Sequence, residues 1–145
     1  MCMKIVIDTN VLISGVFFGG YPRKIIEAVI DDSITACATV DIVEEYKEIV
    51  FEMIDRKQGH IRKDILMPLI AKLKLINKMT DVKVCRDEDD DKFLSCAIDS
   101  KSLYIVSGDK DLLSIGTYEN IEIITAAEFC NRYLPWTWFV YANIV

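Results

Sequence analysis

The stretch Lys4-Ile5-Val6-Ile7-Asp8-Thr9-Asn10-Val11-Leu12 decides the fold. Its first half is a short β-branched run that ends in an acid. Continuous apolarity of this kind, without alternation, is the mark of a parallel strand buried on both faces. Its second half opens a helix that Thr9 or Asn10 can cap and that continues through Ile13 and Val16. A strand feeding a helix is half of a βαβ unit. The acid between them sits at the carboxyl end of the strand, where open parallel sheets bind ligands.

The same alternation recurs outward from this unit. Gly19-Gly20 is a break, and Pro22 suits the first turn of a helix with Ile25, Ile26, Val29 and Ile30 as its apolar stripe. Residues 34–38 form a second strand, and Thr39 caps a helix over 40–55. A helical stretch follows over 61–78, kinked or divided by Pro68. Residues 81–85 read as a weak third strand, and the acidic run 87–91 leads into a helix carrying Phe93, Leu94, Ala97 and Ile98. Residues 103–106 and 121–124 complete the strands, and Thr125 with Glu128 three residues on opens a last helix. The expected fold class is α/β, with a central parallel sheet of about five strands.

Composition narrows the function classes. A chain of 145 residues is one domain, large enough to fold without disulfide or structural metal. The five cysteines are odd in number with no CxxC, so they read as small buried hydrophobes of a reducing, cytoplasmic setting. A single histidine argues against zinc. Lys4, Asp8 and Asn10 interrupt the apolar start, and the apolar 134–145 tail is too short for a membrane span of ~20 residues. A net charge of −6 argues against a protein that coats nucleic acid by charge alone.

The strand and helix positions bring scattered acids to one edge of the sheet. Asp8 ends the first strand, Asp109 and Asp111 follow the fourth, and Asp90 opens the helix after the third. An acid on the 40–55 helix joins them; helix phase alone leaves Glu44, Glu45 and Glu48 open. Each acid taken singly has a bland reading: a solvated face, a turn, or helix N-terminal charge worth ~0.3–1 kcal/mol. Asp8 is the exception, because an acid at the end of a buried apolar strand needs a partner. Asn10 reads first as a helix cap. Carboxylates gathered closely repel and partly protonate unless a hard cation compensates them. An all-oxygen set therefore points to Mg²⁺ or Mn²⁺ and to phosphodiester hydrolysis.

Ile7-Asp8-Thr9-Asn10-Val11-Leu12, Glu44-Glu45, Asp90-Asp91-Lys92-Phe93-Leu94 and Ser107-Gly108-Asp109-Lys110-Asp111-Leu112-Leu113 together resemble the PIN-domain nucleases. The likeness is to the branch of toxins from toxin–antitoxin pairs similar to VapC, and it runs in order from about residue 3 to 134. It implies a three-layer α/β/α fold and a Mg²⁺- or Mn²⁺-dependent ribonuclease. By this resemblance the acidic set is Asp8, Glu45, Asp90 and Asp109, with Asp111 as a further member. Asp8, Asp90 and Asp109 are its metal ligands, and Asn10 and Ser107 are supporting polar residues. A homodimer and a small antitoxin partner are implied likewise. Ser107 stands where Thr is common, and Asp91 where Asn is frequent.

Two further segments stand out. Residues 56–78 carry seven bases against one acid, a local +6 in an acidic chain. This basic helical arm, with Arg56, Lys57, Arg62 and Lys63 at its start, is a candidate for attracting RNA phosphates; its plain alternative is a solvated lysine-rich face. The 135–145 tail holds both tryptophans, suited to an interface or to burial on the domain itself. Rival classes are an aspartyl-phosphate phosphatase or phosphotransferase with Asp8 as nucleophile, a receiver domain, and a catalytically silent interaction module. The first lacks its second acid, since position 10 is Asn, and the receiver's acid pair is absent.

Overall fold

Ile5, Val6 and Ile7 are 0–1% exposed, which places the opening run at the centre of the molecule. The computed structural model describes residues 3–56 and 62–135. In chain order the elements are β1 (Met3–Ile7), α1 (Thr9–Phe17), α2 (Gly20–Ile30), β2 (Ile34–Ala38), α3 (Val40–Asp55), α4 (Lys63–Lys72) and β3 (Lys74–Leu75). A single 3₁₀ turn (Glu88–Asp90) then leads into α5 (Asp91–Ser100), β4 (Tyr104–Val106), α6 (Lys110–Ile115), β5 (Thr117–Tyr118), β6 (Ile121–Ile124) and α7 (Ala126–Tyr133).

The strands form one six-stranded sheet in the order β3-β2-β1-β4-β6-β5. All neighbours are parallel except the β5–β6 pair. With helices flanking the sheet, this is the expected α/β/α sandwich. The connections run from β1 to one side and then return to its other side at β4. The crevice between β1 and β4 is thus the topological switch point, where such folds bind ligands. Backbone bonds extend the sheet into this crevice: Asp8 N donates to Val106 O at 2.9 Å, and Ser107 N donates to Ile124 O at 3.0 Å.

The helices are positioned by their apolar faces. α5 packs across β1, β2 and β4, while α2 packs against α1, α4 and α7. The α1–α2 approach needs Gly15: a Cβ there would stand 2.3 Å from Ile26 Cδ1 and 3.0 Å from the Pro22 backbone. Arg23 closes the end of α1, donating from Nε to Gly15 O at 2.9 Å.

Four sequence expectations need correction. Residues 81–85 form no strand, because the N–H groups of Val82, Val84 and Cys85 donate to Ser95 and Asp91 of α5 instead of to a neighbouring strand. The helix expected to reach residue 78 stops at Lys72. Pro68 lies inside α4 without dividing it. Leu73 then turns extended, and Lys74–Leu75 pairs with the free edge of β2 as β3. On the opposite edge, Glu119 and Asn120 adopt positive φ (45° and 69°) and join β5 to β6 as a tight hairpin. Finally, α1 begins at Thr9, so Asp8 holds the N-cap position, but its carboxylate makes no cap bond.

The buried thiols fit their reading as core residues. Burial pushes Cys96 up to about 12 and Cys130 to about 11, leaving both unreactive near neutrality. Lys57 and residues 136–145 lie outside the described residues. No described helix is long and apolar enough to cross a membrane.

Candidate active site

Asp8 leaves β1 at the switch point with only 6% exposure. Its Oδ2 accepts the Ser107 hydroxyl at 2.7 Å. Ser107, fully buried beyond β4, also accepts the Asp109 N–H on its Oγ at 3.0 Å. One hydroxyl therefore ties the acid after β1 to the loop bearing the acid after β4. Asp109 in turn caps α6, its Oδ1 accepting Asp111 N at 2.9 Å.

Asp90 comes to the same place from the 3₁₀ turn ahead of α5. Its carboxyl is pushed up to about 7, first by burial and then by the charges of Asp109, Asp8 and Asp87 and a hydrogen bond with Asp109. Burial also raises Asp8. The Ser107 hydroxyl and the Thr9 backbone pull against that rise, while Asp109 and Glu45 add to it. Three acids from separate elements thus feel one another through low-dielectric surroundings, the condition that crowds protons onto carboxylates.

Glu45 arrives from α3, one residue before buried Tyr46, which anchors the helix by donating its hydroxyl to Ile7 O. The Glu45 carboxylate is held at both ends. Oε2 accepts the Thr9 hydroxyl, and Oε1 pairs with Lys92 Nζ at 2.8 Å. A cleft of about 740 Å³ opens beside this pair, lined by Thr39, Glu44, Glu48, Asn77 and Lys78 among others. Thr9 and Lys92 have no site role in the sequence reading. The available signal was Lys92 itself, the one cation on α5, two residues after Asp90.

The other candidates are placed differently. Asp111 is exposed, and its link to the cluster runs through its backbone N–H. Asn10 is exposed in the first turn of α1 and lines a cleft with Ser14, Tyr21, Ser107 and Gly108. Asp91, next to Asp90, turns the other way. Its Oδ1 accepts Val84 N at 3.0 Å and Cys85 N at 2.7 Å. Of the arm residues, Arg56 pairs with Glu52 and Arg62 with Asp64, both at 2.7 Å. Lys72 pairs with Asp32 at 2.8 Å, so much of the arm's charge is compensated locally.

A family model described as PIN domain matches residues 4–111. The chain belongs to the PIN-domain family. The uncharacterized protein MJ1680 of Methanocaldococcus jannaschii is 38% identical over 121 residues, which cover 78% of this chain and 75% of that protein. Among solved structures, a chain of VapBC2 from Rickettsia felis, crystallised bound to a DNA fragment from their promoter, matches with a TM-score of 0.56. That match has 13% identity and covers 83% of this chain and 97% of that one, so the likeness is one of fold. PIN domains are nucleases that generally use divalent metals, and the acids of this one suit such an ion chemically. Its acids offer only oxygen donors, and Asp90 at about 7 marks a place where added positive charge would be favoured. The fit is one of donor chemistry. Among the described residues no three Asp, Glu, His or Cys side chains converge tightly enough to hold an ion as they stand.

Proposed function

We propose that this PIN domain is a ribonuclease dependent on Mg²⁺ or Mn²⁺, with Asp8, Asp90 and Asp109 as the ligands of the ion. The observation that carries the reading is the Ser107 hydroxyl joined to both Asp8 and the Asp109 backbone, beside an Asp90 carboxyl pushed up to about 7 by burial and then by its acidic neighbours. A bound divalent ion supplies phosphate orientation, water activation and stabilisation of the leaving oxyanion. The chain's own residues set the geometry. Ser107 fixes the direction of Asp8. Asp109 is held by its own cap on α6. Glu45, fixed by Thr9 and Lys92, or else Asp111 on the rim, orients the attacking water toward the scissile phosphate. Arg56, Lys57, Arg62 and Lys63 draw RNA to the site without base preference, and Asn10 and Ser107 support the strand ends.

The wider role we propose is that of a toxin in a toxin–antitoxin pair, acting in the cytoplasm as a homodimer and restrained by a small antitoxin protein. Support comes from the family and from the fold shared with a chain of VapBC2. The test is cleavage of end-labelled RNA with Mg²⁺, Mn²⁺ or chelator. Asp8→Asn and Asp109→Asn should each lose at least about 100-fold in rate, the scale for a group acting in the transition state, while keeping the circular dichroism of the folded protein. Equal cleavage by folded Asp8→Asn would defeat the assignment. No cleavage by the wild-type chain with either ion would favour a silent interaction module.

A further inference from the structure

The acidic edge is not uniformly anionic. The Ser107 hydroxyl, a neutral group, joins Asp8 to the Asp109 loop, and Asp90 lies within reach of both charges. Glu45 is different, because a cation already sits on it. Lys92 is only 13% exposed at its side chain, and Glu45 27%. An ammonium so withdrawn from water needs a partner, and the 2.8 Å contact to Glu45 Oε1 supplies it. Its other acidic neighbour, Asp89, is 4.0 Å away and 86% exposed, a weak contact by comparison. Thr9 takes the second Glu45 oxygen. A divalent ion approaching this carboxylate would meet the Lys92 charge, whereas each oxygen keeps a lone pair with which to accept from water.

Two-metal nuclease sites hold their ions ~3.5–4 Å apart, and a second ion needs carboxylate charge that no cation has already compensated. Resting on the metal-dependent reading above, we infer that Lys92 is a built-in cation that takes the place of a second metal ion at Glu45, so that this PIN domain holds one divalent ion. A lysine suits the task as a compact point charge on a long stem. Lys92 is a positioning residue here. It fixes Glu45 and keeps that carboxylate out of the ion's shell, which leaves it available to a water molecule.

The test is Mn²⁺ titration, read by calorimetry and by the free-Mn²⁺ electron paramagnetic resonance signal, with folding checked by thermal melting. Wild type and Lys92→Arg should each take a single Mn²⁺ per chain. Lys92→Met should take a second, weaker than the first because of the like charge beside it. The second ion should disappear in the Lys92→Met, Glu45→Gln double variant. Two ions in the wild type would overturn the inference whatever the variants do. So would a single ion in folded Lys92→Met, or a second ion that survives loss of the Glu45 carboxylate. A wild-type chain that takes up no Mn²⁺ would instead defeat the metal-dependent reading itself.

Discussion

Asp90 and Asp91 are neighbours in the chain and opposites in the fold. Asp90 turns toward the switch point, meets other acids, and is pushed up to about 7. Asp91 turns toward the 82–85 loop. Burial would raise it too, but the N–H donors of Cys85 and Val84 prevail and hold it below its usual 3.8. Asp99, on the same helix, does the same further along, accepting Met79 N, Thr80 N and the Thr80 hydroxyl at 2.6–3.0 Å. One face of α5 therefore clamps a loop with carboxylates held by backbone donors, while its N-terminal end brings Asp90 among other acids. What compensates a carboxylate tells its role better than its place in an acidic run does. Backbone donors make a structural part, whereas other carboxylates leave a charge deficit for a ligand to fill.

The sharpest way to break this contrast is to exchange the two roles. Asp90→Asn should lose at least about 100-fold in RNA cleavage while the metal-free protein melts no lower than wild type, because a disfavoured charge has been removed. Asp91→Ala should do the reverse. It strands two N–H groups that bonded to a charged acceptor, at a cost of about 3 kcal/mol, or near 10 °C in melting temperature for a chain of this size. Its folded fraction should still cut RNA. If Asp91→Ala proved stable but inactive, the division of labour on α5 would be wrong.

A pH series in chelator separates the two regions without mutation. Between 3.8 and about 7 the native Asp90 keeps a proton that the unfolded chain releases. Its contribution is therefore present at low pH and lost as pH rises through that window. Asp91 and Asp99 have the opposite sign: their stabilisation is present above 3.8 and lost as pH falls through their lowered values. The metal-free urea midpoint should peak in mildly acid solution. The decline above the peak should be absent in Asp90→Asn and suppressed by Mn²⁺. A midpoint rising steadily to pH 7.5, alike in both proteins, would contradict the crowding of Asp90. Smaller again is Asp99→Ala, which should cost about 2 kcal/mol, since its loop remains partly hydrated. Hydrogen exchange would then report faster opening at Met79 and Thr80.

The parts of this fold that a sequence reader can see are those whose burial is continuous. β1, β2, β4 and β6 show it because central parallel strands are covered on both faces. β3 and β5 do not. Each is two residues long on an outer edge, and both residues of β3 are exposed. They exist because a neighbouring strand offers unpaired backbone, which no local pattern encodes. The site divides in the same way. The acids at strand ends and helix starts follow from topology alone, so the link from Asp8 through Ser107 to the Asp109 loop, with Asp90 near enough to feel both charges, could be expected from the chain. The Lys92–Glu45 pair could not, since it depends on how α3 and α5 are rotated against each other. The clamping role of Asp91 is hidden for a related reason: in a run of acids, charge is visible and the backbone donors that neutralise it are not.

Tyr46 gives the smallest test and bears on both regions. Like Asp91 it is a helix side chain serving stranded backbone, but it does so at the active edge. The paired register of β1 with β2 ends at Ile5 and Ala36, and the Ile7 carbonyl beyond it accepts the buried Tyr46 hydroxyl. Tyr46→Phe keeps the ring packed and removes only that donor. The cost should be about 1 kcal/mol, the net worth of one neutral hydrogen bond, read as a small shift in the urea midpoint. Ile7 immediately precedes Asp8, so a loosened carbonyl there should also lower cleavage severalfold at unchanged Mn²⁺ stoichiometry. A stability loss with no change in rate would mean that Ser107 alone holds Asp8 in place. The two halves of the molecule would then be joined less tightly than the path from α3 through Ile7 to Asp8 implies.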